Sequence, residues 1–292
     1  MSNEQKMMAG LHINKPSASA LPTWWLVFSK DATDLWIGGK ALFLVFIYTV
    51  VLGIVTYVIS NSGFSSPHFR EMTYETIETI IEVSLFIGLI ISADSLSGER
   101  DRNTLESLLL TSASRRQIVV GKFLAAITFW PVALVLAIPT LKIFSQGYNV
   151  FGESLLWGGI LGSILVLVYV GLGMLVSFWS NTNKTSYVVS LGIYVMFLIP
   201  SEMPEAVQNG VISRTLEWIN PLAAVNHFFS KIILNNTSFS EALVWIETPV
   251  AFAIIILGIL FLYAAPGLRL EGGRGSKPWV KFKQNVDKGG SS

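Results

Sequence analysis

Cysteine is absent from the 292-residue chain, so it cannot supply a disulfide, a thiolate metal site or a thiol nucleophile. Charge is scarce: 13% of residues are Asp, Glu, Lys or Arg, against about 25% in an ordinary soluble domain. The three histidines, His12, His68 and His227, are isolated, and none has a partner at His-x-x-x-His spacing, so metal chemistry is unsupported. There is no Gly-x-x-x-x-Gly-Lys-Ser/Thr phosphate loop. The nearest run, Gly272-Gly273-Arg274-Gly275-Ser276-Lys277, lacks both the spacing and the following hydroxyl. No soluble stretch is long enough for a nucleotide-hydrolysing domain. Residues 1–21 are polar and contain no apolar signal core, so membrane insertion is expected to start with the first true membrane helix. The net charge of +1 gives no reason to expect nucleic acid as a partner.

What the chain does have is apolar length. Hydrophobic residues make up 52% and the mean hydropathy is +0.57. Several runs approach the ~20 residues that a bilayer crossing needs. The expected fold is an all-α membrane protein with six crossings, at about 40–59, 76–92, 118–144, 155–179, 185–198 and 249–265. Pro131 should kink the third near Trp130, and Pro200 should stop the fifth. Gly158 and Gly162 have the small-xxx-small spacing that lets membrane helices approach closely.

Before the first crossing, Trp24, Trp25 and Phe28 share one face of a short helix capped by Thr23, which reads as an interfacial helix lying on the bilayer. Residues 1–39 are expected to form a cytoplasmic N-terminus around that helix, 40–266 the membrane domain, and 267–292 a flexible Gly- and Lys-rich tail. Within the membrane domain, 201–248 is too polar to cross and is expected to hold short outer helices, one of them at 223–233. Sixteen of the 20 Lys and Arg residues fall on one side when both termini are placed inside, which favours that orientation in a plasma or inner membrane.

The densest block of charge, residues 94–117, lies between the second and third crossings. Its signs alternate through Glu99, Arg100, Asp101, Arg102 and Glu106. Asn103 could cap a short helix with Glu106 as its third residue, which places Leu105, Leu108 and Leu109 on one face. Ser114 with Gln117 is a second capping signature, opening the next helix.

The run Ser97-Gly98-Glu99-Arg100-Asp101-Arg102-Asn103-Thr104-Leu105-Glu106, followed by Ser114-Arg115-Arg116-Gln117-Ile118 and Gly121-Lys122, resembles the cytoplasmic loop of the type 2 ABC-transporter permeases. A looser likeness covers Asn220-Pro221-Leu222-Ala223-Ala224-Val225-Asn226-His227-Phe228, the segment before that family's last membrane helix. The resemblance implies that the 94–117 loop carries a coupling helix that docks on a separate ABC ATPase subunit. ATP and Mg would belong to that partner, and this chain would be a non-catalytic membrane subunit holding no cofactor. It would work as a pair of permeases, a homodimer, in an exporter. The coupling residues would be Gly98, Glu99, Arg100, Asp101, Arg102, Thr104, Leu105, Glu106, Leu108 and Leu109. The leucines would fill an apolar groove on the ATPase, and Glu99, Arg100 and Arg102 would make charged contacts around it. Leu96-Ser97-Gly98-Glu99-Arg100 is also similar to the signature loop of ABC ATPases themselves, but without a phosphate loop that reading fails.

Glu75, Glu78 and Glu82 fall on one face of the second crossing. A carboxylate at mid-membrane costs roughly 2.5–3.5 kcal/mol on insertion scales, so the group should face water or protein. Two readings stay open: an acidic lining of a path for cationic substrate, or a carboxylate near the outer surface that pairs with Arg70 or Lys142. Two rival functions also stand beside the transporter subunit. One is a permease-like anchor of an envelope machine, and the other is a secondary transporter using Glu82.

Overall fold

The computed structural model describes residues 21–61, 69–111, 113–145, 150–201 and 218–268. The polar N-terminus to residue 20, the loop at 62–68, positions 202–217 of the outer segment and the tail from 269 lie outside the described residues. Every regular element among the described residues is helical.

α1 (Thr23–Trp36) starts behind Pro22, and Thr23 is its first helical residue; no side chain caps it, so the expected Thr23 cap is not made. α1 buries Val27 and Leu35 and exposes Trp25 and Leu26. It lies against the start of the third crossing because residue 121 is glycine. A Cβ there would come within 2.8 Å of the Trp24 carbonyl oxygen and of Val27. Gly39, at φ +83, turns the chain from α1 into α2 (Lys40–Asn61).

α3 (Phe69–Asp101) has 33 residues, about 50 Å at 1.5 Å per residue, well beyond the ~30 Å of a bilayer core. It corrects the expected 76–92 at both ends. The polar run from Asp94 to Asp101, expected as loop, is its last two turns. It stays helical because neighbouring elements answer its charges.

α3 then closes in a left-handed turn. Asn103 sits at φ 56, its N–H reaches the Arg100 carbonyl at 3.0 Å, and the Thr104 N–H reaches the Glu99 carbonyl at 2.9 Å. That pair of bonds is a Schellman motif. Asn103 therefore ends α3 rather than capping the next helix, and Thr104 occupies the N-cap position of α4 (Leu105–Leu109) with no side-chain cap.

Ser114 opens α5 (Arg115–Ile127) with the expected capping box, Gln117 N–H to Ser114 Oγ at 3.3 Å and Ser114 N–H to Gln117 Oε1 at 3.0 Å. The third crossing breaks at Thr128 and resumes as α6 (Phe129–Phe144), since Pro131 has no N–H to give to the preceding turn. α7 (Phe151–Trp179) and α8 (Asn183–Ser201) are the fourth and fifth crossings; Pro200 sits inside the last turn of α8 instead of stopping it. α9 (Pro221–Phe229) is capped by Asn220, whose Oδ1 accepts from the Leu222 N–H at 3.0 Å, and it runs on as a wide turn through Ser230–Leu234. The sixth crossing, Phe239–Gly267, begins ten residues earlier than expected.

Six segments are thus long and apolar enough to cross a membrane, and the chain is an all-α membrane protein. α3 and α7 form its centre, with 67% of the most apolar stretch of each buried, against 11% for α2 and α8. Gly158 and Gly162 do give close packing, against the Ile77 side chain and the Trp130 ring. The tightest glycine contact between two membrane helices is elsewhere. A Cβ on Gly173 would come within 2.1 Å of Ser92 Oγ and 2.6 Å of the Leu89 carbonyl oxygen.

Candidate functional site

The polar end of α3 is the hub of a buried ionic junction. Glu99 and Lys122 are 6% and 4% exposed, and Lys122 Nζ lies 3.1 Å from Glu99 Oε1 and 2.9 Å from Asp31 Oδ2. Lys30 approaches the same Glu99 oxygen at 3.8 Å. One lysine on α5 thus ties α3 to α1, and it reaches both carboxylates because Gly121 lets α1 lie so close. The other Glu99 oxygen accepts from the Thr104 hydroxyl, which fastens the start of α4 to the same carboxylate. Lys40, at the start of α2, pairs with Asp94 at 2.8 Å. These groups wall a cavity of about 500 Å³ between α1, α3 and α5, where Asp34 and Arg102 also stand.

Arg100 and Asp101 do different work. Arg100 donates to the carbonyls of Ser177 and Ser180, at the C-terminal end of α7, and Asp101 accepts from the Asn183 N–H at 2.9 Å, at the first residue of α8. Each charge complements the helix end it meets, a cation on free carbonyls and an anion on a free N–H. Asp94 adds a bond from Asn183 Nδ2 at 2.6 Å. The α7–α8 turn is therefore clamped to the end of α3.

This redistributes the coupling residues expected from sequence. Gly98 and Glu99 are buried, Arg100 and Asp101 are engaged within the chain, and Leu105 is 4% exposed against the core. Gly98, Glu99 and Leu105 therefore do not form the expected outward face, and Arg100 and Asp101 direct their charges to the α7–α8 turn, although Asp101 itself stays exposed. Arg102, Glu106 and Ser107 are exposed, Leu108 and Leu109 are half-buried, and Leu110 is 74% exposed. The sequence reading missed Asp31, Lys122 and Asn183. Lys122 carried a signal, since it is a lone cation between apolar residues on a helix that starts in the membrane span.

At the other end of α3 the three glutamates separate. Glu75 is exposed, while Glu78 accepts a hydrogen bond from the side-chain amide of Asn226 on α9. Glu82 is half-buried, and its backbone carbonyl accepts from Tyr194 Oη on α8 at 3.2 Å. Arg70 donates to the Ile233 carbonyl at 3.2 Å, so the middle and the C-terminal end of the α9 segment are held by α3. His227 stacks on Trp245, with ring centroids 4.4 Å apart.

Residues 25–270 match the model of the ABC-2 family transporter protein family. The chain is 34% identical over 143 residues to the ABC transporter permease protein NatB of Bacillus subtilis (strain 168), covering 43% of this chain and 37% of that one. It is 27% identical over 180 residues to the probable multidrug ABC transporter permease YbhR of Escherichia coli (strain K12), covering 58% of this chain and 45% of that one. The matches thus span less than half the length of these relatives. A family match over most of the chain, six crossings and a charged α3–α4 junction agree, and the chain belongs to the ABC-2 transporter family.

Proposed function

We propose that the chain is the permease subunit of an ATP-driven exporter, with both termini and α4 on the cytoplasmic side of a plasma membrane and α1 lying at the bilayer surface. A separate ABC ATPase subunit, which holds ATP and Mg, receives α4 through Glu106, Leu108, Leu109 and Leu110, with Arg102 beside them. A second permease copy completes the path. The observation that carries this reading is the way α4 hangs from α3. The Schellman turn and the Thr104–Glu99 bond fix it to a carboxylate that Lys122 ties to α1. A push on α4 is then delivered to α1, α3 and α5 together, and through Arg100 and Asp101 to the α7–α8 turn. Such a linkage suits rigid-body motion rather than local flexing.

Glu75, Glu78 and Glu82 are proposed to lie along the substrate path and to favour cationic cargo. Co-purification of tagged permease with its ATPase tests the coupling. Glu106→Lys should abolish it while leaving the permease folded, and unchanged recovery of the ATPase would refute the docking surface. Solute-stimulated ATPase activity separates an exporter from an envelope anchor, which would show none. Transport by the purified chain alone would instead make it a secondary transporter.

A further inference from the structure

The cavity of about 500 Å³ between α1, α3 and α5 is charged at one end and apolar at the other. On α3, Ile91 lines it about 12 Å before Glu99, at 1.5 Å per residue, and Asp94 and Ser95 lie between them. On α5, Lys122 stands at the charged end, and Ala125 and Ala126, one turn deeper into the third crossing, stand at the apolar end with Leu35 of α1. Polarity therefore changes along the membrane-crossing helices, as it does along a phospholipid. The rim meets the apolar surface of the molecule. Gly38 and Lys40 line it where α1 turns into α2, and the neighbouring Ile37, Leu42 and Phe43 are exposed.

The lining carries four cations, Lys30, Lys40, Arg102 and Lys122, and four anions, Asp31, Asp34, Asp94 and Glu99. Six of these answer one another: Lys122 and Lys30 meet Asp31 and Glu99, and Lys40 meets Asp94. Arg102 and Asp34 remain. Both are exposed, and neither side chain makes an ion pair or hydrogen bond among the described residues. One cation and one anion to spare suit a ligand that carries both signs.

We propose that this cavity binds an aminophospholipid, with its phosphate on Arg102, its primary ammonium on Asp34, and its first acyl carbons against Leu35 and Ile91. The guanidinium fork matches two phosphate oxygens. A primary ammonium donates hydrogen bonds to a carboxylate, which a quaternary ammonium cannot do. A purely anionic headgroup would leave Asp34 unanswered and add its charge beside Asp31, Asp94 and Glu99. The lipid joins α1 to the end of α3 through the two charges that the ionic junction leaves unused. This needs only the membrane fold and not the ATPase docking.

The test is native mass spectrometry of the purified full-length permease in detergent, titrated with dioleoyl phosphatidylethanolamine, phosphatidylcholine or phosphatidylglycerol. Each variant is first checked for the wild-type unfolding midpoint, which substitution of an exposed, unpaired side chain should leave in place. Phosphatidylethanolamine is expected to saturate one site, at least about threefold more tightly than the other two lipids. Arg102→Gln should weaken phosphatidylethanolamine and phosphatidylcholine alike, by roughly three- to tenfold, because both carry the phosphate. Asp34→Asn should weaken phosphatidylethanolamine alone and so remove its advantage. Arg116→Gln, at an exposed arginine outside the cavity, should change nothing. Water-soluble glycerophosphoethanolamine, which lacks acyl carbons, should compete at least about a hundredfold less well than the lipid. Competition at equal concentration would make the ligand a soluble phosphoamine and overturn the lipid assignment. Equal uptake of the three lipids would mean annular lipid only and overturn the proposal. Unchanged binding by Arg102→Gln, or a preference that survives Asp34→Asn, would do the same. Because the permease is measured without its ATPase, failure here leaves the co-purification result standing, and failure there leaves this one.

Discussion

Two carboxylates on one helix, Glu99 and Glu82, meet opposite surroundings. Glu99 is answered by Lys122, Lys30 and the Thr104 hydroxyl, and its helix end is further pinned by Arg100 and Asp101 to the neighbouring turn. Glu82 stands among rings, on the side of α3 that faces the sparsely buried α8. The first arrangement makes a joint that keeps its shape under load. The second sets a carboxylate on a stretch of helix lined by aromatic side chains. One long helix thus carries an ionic joint at one end and a carboxylate among aromatic side chains toward the other.

The largest way to break that contrast is Lys122→Met. It strands Glu99 and Asp31 beside an apolar side chain, and removing one partner of a buried ion pair costs about 3–5 kcal/mol. The expected outcome is a large fall in unfolding midpoint, read by thermal or SDS-induced unfolding. Adding Glu99→Gln should return part of the loss, because the two groups interact directly. Lys122→Met as stable as wild type would mean that water reaches the junction and the joint is soft.

The two ends were unequally legible in the sequence. Six crossings, the Pro131 break and the Ser114–Gln117 box were readable because apolar length, a missing N–H and a four-residue cap are local signals. The α9 helix followed from the spacing of Val225, Phe228, Phe229 and Ile232, although the expected 223–233 missed its start at Pro221. Glu99 was misread as an outward contact. The sequence shows its charge, but its partners lie on two other helices, and nothing local distinguishes a buried glutamate from a solvated one. Asn103 was misread for a related reason: asparagine suits both an N-cap and a left-handed helix terminus, and only the backbone shows which is used. Glu82 was legible as a carboxylate in a membrane span. Its aromatic neighbours, brought from 112 positions away in the case of Tyr194, were not.

A pair of glycines on α7 sharpens the comparison next. Gly173 faces the Ser92 hydroxyl and the Leu89 carbonyl toward the stiff end, whereas Gly158 faces the tip of the Ile77 side chain toward the other. Gly173→Ala has to move backbone and should cost roughly 1–3 kcal/mol, while Gly158→Ala displaces only the end of a flexible side chain and should cost less than about 1 kcal/mol. The same unfolding assay on both variants checks the difference. Equal costs would remove the idea that α3 and α7 are locked together more tightly near the junction.

Asn103→Val should follow at about 1–2 kcal/mol, since a β-branched residue is forced into the left-handed region, and Asn103→Gly should be close to neutral. Because this turn carries α4, the valine variant should also weaken ATPase co-purification.

The smallest expected effect is the most discriminating. Ser114→Ala removes the Oγ that accepts from the Gln117 N–H and should cost about 1 kcal/mol. That is comparable to the lower end of the Asn103→Val penalty, but the cap lies at the entry of α5, beyond α4, and does not set how α4 leaves α3. Ser114→Ala should therefore lower stability while ATPase association stays intact. If both variants lost the ATPase in proportion to their stability, the turn at Asn103 would be an ordinary helix end. If only Asn103→Val lost it, the force path runs through that turn and the buried carboxylate behind it.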